Sequence, residues 1–221
     1  MTLRNDRPPV QRALAGASTT RQIVIRAGAL AETGRLAREM FPGRTAVIVA
    51  DGNTFRVAGE WVQGSLRDAD VSIAEPIVFP AEPTLRPDVS NVATILTHLG
   101  PDTVPVAVGS GTINDLTKRA AHEAGLPYLV VATAASMDGY TASGAALIAD
   151  GVKQTFPCAA PEAVIADLDV LAAAPEGMTA SGYGDLIGKV TAGADWILAD
   201  ALGIEPILPD VWEMVRDRCP A

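Results

Sequence analysis

The chain has 221 residues, enough for one sizeable α/β domain or for one domain and part of a second. Its 48% hydrophobic content is that of a globular protein with a substantial core, and 26 acidic against 17 basic residues leave it net negative, which argues against a phosphate backbone such as DNA as a partner. Two cysteines, Cys158 and Cys219, lie far apart without metal-type spacing, as expected of a reduced, cytoplasmic setting, and no stretch reads as a secretory signal or a membrane span.

In chain order, residues 1–21 carry four arginines, prolines and small residues without periodicity, and read as a mobile or loosely attached leader. Gln22 to Arg26 is a short β-branched run, after which Leu30, Thr33, Ala37 and Met40 recur at helical spacing as far as Gly43. Thr45 to Ala50 reads as a buried strand running into Asp51, Gly52, Asn53 and Thr54, with a helical segment following through about Leu66. Asp51 has two readings here: an acidic side chain just past a strand accepts hydrogen bonds from an adenosine ribose, or it caps the next helix. Val71 to Phe79 is extended, and Asp88 opens a helix with Val89, Val92, Ala93, Leu96 and Leu99 inward and Gly100 closing it. His98 and His122 have no partner ligand at helical spacing and read as surface or locally bonded histidines without a role.

The stretch from Val106 to Asp138 organises the rest. Val104 to Val108 and Tyr128 to Ala132 are short valine-rich runs of the kind buried on both faces of a parallel sheet. Between them lie Gly109, Ser110, Gly111 and Thr112, then a helix with Ile113, Leu116, Ala120 and Ala124 on one face and Gly125 at its end. Strand, glycine loop, helix, strand is a βαβ unit, whose loop presents backbone N–H groups and the positive end of a helix dipole to a phosphate. An ordinary tight turn stays open as the alternative, since the third glycine of G-x-G-x-x-G and the lysine of a Walker loop are missing. After the second strand, Thr133, Ser136, Asp138, Tyr140 and Thr141 cluster where open α/β sheets bind ligands.

Ala145 to Ala149 and Val152 to Phe156 flank Asp150-Gly151, a hairpin-turn dipeptide, with Lys153 either a phosphate contact or simply exposed. Ala163 to Asp167 is a last strand, and Pro175 marks a change of architecture. Beyond it Leu186, Ile187, Val190, Ala194, Ile197, Leu198 and Ala201 make a helical stripe with Asp185 at its head, and Val211, Met214 and Val215 suggest one more helix. From these residues alone, Asp185 is a first-turn acid paired with Lys189 four residues on.

The blocks GSGTINDLTK (Gly109 to Lys118), ATAASMDGYTASG (Ala132 to Gly144), PEAVIADLDVL (Pro161 to Leu171) and SGYGDLIGK (Ser181 to Lys189) together resemble the sn-glycerol-1-phosphate dehydrogenase family. That family lies in the iron-containing alcohol dehydrogenase and dehydroquinate synthase-like superfamily, and the resemblance runs from about Ile23 to the end while covering only the front portion of such an enzyme. It implies a Rossmann-like α/β domain over residues 22–175, a parallel sheet with helices on both faces, and the start of a truncated all-helical domain over residues 176–221. It implies NAD or NADP bound by Asp51, Gly109, Ser110, Gly111, Thr112, Ile113, Thr133, Ala134, Ala135 and Ser136. A phosphorylated polyol would meet Asp138 and Asp185, with Asp185 also a ligand of a divalent metal, usually zinc, iron or nickel.

Two departures accompany the resemblance. Ala142 stands where the family has a cofactor-contacting serine, and both histidines of the chain precede Asp185, whereas the family takes two histidine co-ligands from later helices. The expectation is therefore nucleotide binding with little or no turnover by this chain alone. The apolar helix Leu186 to Ala201 would be left open to self-association. A dehydroquinate synthase-like sugar-phosphate cyclase and a non-catalytic nucleotide-binding module are the alternatives.

Overall fold

The computed structural model describes residues 9–216. Its helices are α1 (Pro9–Gly16), α2 (Glu32–Met40), α3 (Gly52–Thr54), α4 (Glu60–Asp68), α5 (Val89–Leu96), α6 (Gly111–Glu123), α7 (Leu168–Ala172), α8 (Glu176–Ala201) and α9 (Pro209–Arg216). A π-helical segment, Phe55–Gly59, joins α3 to α4. The main sheet contains β1 (Gln22–Arg26), β2 (Thr45–Asp51), β3 (Ile77–Phe79), β4 (Thr103–Gly109), β5 (Leu129–Ala132) and β8 (Ala163–Asp167), while β6 (Ala145–Ala149) and β7 (Val152–Phe156) form a separate antiparallel hairpin.

The order across the sheet is β1-β8-β5-β4-β2-β3 and each neighbouring pair is parallel. Parallel strands need crossovers, and helical crossovers cover both faces, so the strands read as continuous apolar runs. Alternate residues of β2 show the two layers. Ala46, Ile48 and Ala50 pack with Leu36 and Ala37 of α2 and Val62 and Leu66 of α4, whereas Val47 and Val49 pack with Val92 and Ile95 of α5, Leu116 of α6 and Leu147 of β6. The α/β parallel architecture with helices on both faces is as the sequence predicts.

The hairpin turn is also as expected. Asp150 and Gly151 both have positive φ, 52° and 77°, the pair of left-handed residues that a two-residue turn matching the strand twist requires. Gly125, at φ 66°, ends α6 with its N–H on the His122 carbonyl.

Several expectations need correction. Pro9–Gly16 is helical rather than irregular: proline suits a first helical position, and Val10 and Leu14 share a face. The leader is moreover tied down at its end, where the buried Thr20 hydroxyl donates to the Pro161 carbonyl at 2.7 Å and Arg21 pairs with Glu162. Residues 1–8 of the leader, and Cys219, lie outside the described residues, and Cys158 is buried. Helix α5 stops at Leu96, short of Gly100, and buries Val92 and Ile95 while Ala93 and Val89 face outward. Ala124 is exposed; α6 instead buries Asn114, Thr117 and Lys118 beside its apolar residues.

The fourth correction bears on function. Helix α8 starts at Glu176 rather than near Asp185, so Asp185 sits well inside it and the dipole of the first turn does not reach it. Pro175 serves as N-cap, and the glycines at 182 and 184 do not break the helix. No residue of α8 is buried, and Leu186, Ile187, Val190, Ile197 and Leu198 are exposed. The short α9 folds back on it, with Trp196 and Trp212 edge to face at 6.0 Å. No helix of the described residues is long and apolar enough to cross a membrane.

Candidate functional site

The sheet changes direction between β2 and β4: the chain leaves β2 outward to β3, then returns on the other side of β2 to continue through β4, β5 and β8. In an open α/β sheet this switch leaves a crevice outside the carboxyl ends of the strands. A cavity of about 770 Å³ lies there. Its walls come from residues at or just past the ends of successive strands, with Asp51 ending β2 and Asn53 after it, Ala81 after β3, Ser110 and Thr112 after β4, Thr133 after β5 and Asp169 after β8. A second cavity of about 540 Å³ is lined by Gly111, Thr112, Asp115, Ser136, Met137, Lys153, Ser181 and Asp185. Thr112 lines both, so the two cavities adjoin at that residue along the sheet edge and are together called the groove.

The glycine loop sits where the βαβ argument places it. Gly109 ends β4, Ser110 caps α6 without a side-chain hydrogen bond, and the first-turn N–H groups of a helix have no intrahelical partner. Gly109 itself is needed for packing as much as for access, because a Cβ there would lie 2.5 Å from the Ile113 side chain. At Gly111 a Cβ would meet only the flexible Met137 sulfur, at 3.2 Å.

Both readings of Asp51 survive in part. Its Oδ1 accepts the N–H groups of Asn53 and Thr54 at 2.8 and 2.9 Å, and the Thr54 hydroxyl accepts the Asp51 N–H in return, so the residue is a helix cap. The same residue lines the larger cavity, together with Ser110 and Thr112 of the glycine loop.

The turn after β5 is held by Tyr140, whose hydroxyl donates to the Ala134 carbonyl at 2.7 Å. Burial pushes that hydroxyl's pKa up to about 12, so it remains a donor. Thr133 and Ser136 reach the two cavities, whereas Ala134 is buried and neither it nor the exposed Ala135 lines them. Gly109 and Asp138 also lie off the cavity walls, and Ala142 is exposed beyond the turn. Lys153 is exposed and lines the smaller cavity beside Asp185.

Helix α8 docks on this turn through Gly182, a residue of the SGYGDLIGK block to which the sequence assigns no role. A Cβ on Gly182 would lie 2.0 Å from the Ala135 carbonyl oxygen, so only glycine permits the approach. One helical turn on, Asp185 accepts the Asp138 N–H at 3.0 Å, and the ammonium of Lys189 pairs with the Asp138 carboxylate at 2.8 Å. The expected Asp185–Lys189 partnership is thus replaced by one in which Lys189 reaches across to the turn. The Asp138 backbone N–H, with the nearby lysines, holds the Asp185 carboxyl below the usual carboxylate range.

A buried ionic pair supports the groove floor. Lys118 is 1% exposed and donates to the Gly144 carbonyl at 2.9 Å, with Asp115 at 3.4 Å. Asp115 also accepts the Ala146 N–H, tying the hairpin to α6; burial raises its pKa, with Lys118 opposing. The sequence hint was a lysine and an aspartate three apart on the inward side of a helix, which periodicity alone assigns to solvent.

His98 bonds locally to the Thr94 carbonyl, His122 is exposed, and neither lines the groove. Among the described residues no group of three or more His, Cys, Asp or Glu side chains could hold a metal ion. The donor set near Asp185 is one carboxylate, with the neighbouring Asp138 carboxylate already paired to an ammonium. These residues do not by themselves fit a catalytic divalent metal, which takes three protein ligands and an open position. A dinucleotide fits better, given the groove's length, its backbone donors and its apolar walls.

Comparison with known proteins places the fold and the family. Glycerol-1-phosphate dehydrogenase (NAD(P)+) of Halalkalibacterium halodurans is 41% identical over 171 residues, covering 76% of this chain and 43% of that protein. The protein of the same name from Bacillus subtilis is 39% identical over 178 residues, covering 79% and 45%. The chain therefore spans under half the length of these curated relatives. Among solved structures, glycerol dehydrogenase from Schizosaccharomyces pombe aligns with a TM-score of 0.64 at 24% identity, covering 76% of this chain and 42% of that one. A 2-deoxy-scyllo-inosose synthase complexed with carbaglucose-6-phosphate, NAD+ and Co2+ aligns with a TM-score of 0.64 at 17% identity, covering 75% and 48%, a likeness of fold. The family model described as iron-containing alcohol dehydrogenase matches residues 24–175, and with that match over most of the sheet domain the chain belongs to the iron-containing alcohol dehydrogenase family.

Proposed function

We propose that this chain is the nucleotide-binding part of a cytoplasmic glycerol-1-phosphate dehydrogenase, an oxidoreductase acting on glycerol-1-phosphate and dihydroxyacetone phosphate with NAD or NADP. In this reading residues 22–175 are the dinucleotide domain and residues 176–221 open a helical substrate domain. The pyrophosphate lies on the N–H groups of Gly109 to Ile113, the adenosine ribose beside Asp51, and the nicotinamide toward Thr133 to Ser136. A bound NAD(P)H supplies the hydride for the carbonyl carbon. Asp185 orients the polyol at the far end of the groove, and Asp138, which lies off the cavity wall with its carboxylate paired to Lys189, meets the polyol's side through the N–H that holds Asp185. The names of the curated relatives support the substrate and the cofactor.

The observation that carries the reading is the alignment of Asp51, Ser110, Thr112 and Thr133 on one crevice that continues, past Thr112, to Ser136 and Asp185. Because the described residues offer too few metal ligands, residues 1–221 on their own bind nucleotide with little or no turnover. The exposed apolar face of α8 promotes self-association of the same polypeptide.

Fluorescence titration with NADH tests the proposal. Wild type binds, and Gly111→Asp, which sets a carboxylate at the pyrophosphate, weakens binding by about tenfold or more. Equal affinities would remove the glycine loop from the site.

A further inference from the structure

The larger cavity carries a charge pattern that its role as a nucleotide groove does not require. Asp51, Glu82 and Asp169 give its wall three carboxylates, and Arg56 is the one Lys, Arg or His side chain among its lining residues. Arg56 is exposed and sits at the head of the π-helical segment directly after the capped turn that Asp51 opens. Its guanidinium bonds a neutral amide, Asn53 Oδ1, at 3.2 Å, and among the described residues it has no carboxylate within ion-pair distance. Arg21, Arg26, Arg35 and Arg119, by contrast, are each paired with a glutamate.

We propose that Arg56 is the residue that receives the 2′-phosphate when the bound dinucleotide is NADP. This rests on the dinucleotide reading of the crevice given above. An acidic residue past the second strand ordinarily favours NAD, because it bonds the ribose 2′-hydroxyl and repels a phosphate there. Here the carboxylate of Asp51 is pinned by two backbone N–H groups and cannot swing away from an incoming phosphate. A cation on the same wall is then what offsets the repulsion, and a planar guanidinium matches phosphate oxygens in pairs. Asn53 is a weak competitor for that group, since a neutral acceptor is readily exchanged for a charged one.

The test compares NADPH with NADH by fluorescence titration on the full 221-residue chain and reads the ratio of their dissociation constants. Wild type binds NADPH within about tenfold of NADH, Arg56→Ala raises the NADPH-to-NADH ratio by about tenfold or more, and Arg56→Lys gives an intermediate ratio. Asp51→Asn, which keeps a capping oxygen while removing the charge, lowers the ratio. A general disturbance of the helix would weaken both nucleotides alike and leave the ratio where it was. An unchanged ratio in Arg56→Ala, or a wild type that takes NADH and refuses NADPH, overturns the assignment of Arg56 alone. Failure of both nucleotides to bind wild type overturns the crevice reading and this inference together.

Discussion

The sheet domain and helix α8 have similar shares of apolar residues and use them in opposite ways. Every residue of β2 between Ala46 and Ala50 is fully buried, while α8 has 26 residues and none buried. In the sheet, one side chain in two meets each covering layer, so a short valine-rich run is enough to commit the strand to the core. On α8 an equally apolar stripe meets the body mainly over about two turns, through Gly182, Asp185 and Lys189. Apolar periodicity thus fixes which face is meant to be covered, and only packing determines whether it is.

Substitutions that sample both regions sharpen this contrast. The largest effect is expected in the sheet: Ile48→Ala empties a fully buried site and costs about 2–5 kcal/mol in urea unfolding. The matching deletion on α8, Leu198→Ala at 58% exposure, changes stability by no more than about 0.5 kcal/mol and reduces self-association in sedimentation velocity. A large loss for Leu198→Ala would mean that α8 is covered in solution.

Glycines give a second, smaller contrast. Gly109→Ala drives a methyl group into Ile113 and costs about 1–3 kcal/mol, read as a lower urea midpoint. Gly64→Ala, inside α4 where a Cβ would meet nothing within 4 Å, gains about 0.5–1 kcal/mol by helix propensity. Similar shifts for the two would refute the close contact beneath the loop.

The smallest effect concerns the α8 junction. The folded-state pKa of Asp185 is depressed from the ordinary 3.8, so its bond to the Asp138 N–H is present above that value and is lost as pH falls through the depressed one. The Asp138 amide resonance therefore titrates with a midpoint below 3.8, and Asp185→Asn abolishes that step. A midpoint above 3.8 would show that the carboxylate lacks the contact.

Much of the fold was legible because its signals are local. β4 and β5, the Asp150-Gly151 turn and the Gly125 terminus each depend on a few neighbouring residues whose conformational preferences agree with the outcome. Position along α8 was less legible: the sequence puts Asp185 at the head of the helix, yet the helix runs continuously from Glu176, with Gly182 packed closely against the Ala135 carbonyl. The α5 stripe was misphased because its helix is short and its outward residues, Val89 and Ala93, are as apolar as its inward ones.

The sequence by itself determined the order of strands and helices, the small-residue loop at the end of β4 and the polar turn after β5, since each is set by backbone preference and alternation within a few residues. Only the tertiary structure decided that Lys118 is buried, that Lys189 pairs with Asp138, and that Arg56 shares a wall with Asp51. Those outcomes depend on which elements pack together, and a charged side chain carries no mark in the sequence of the partner that will offset its desolvation.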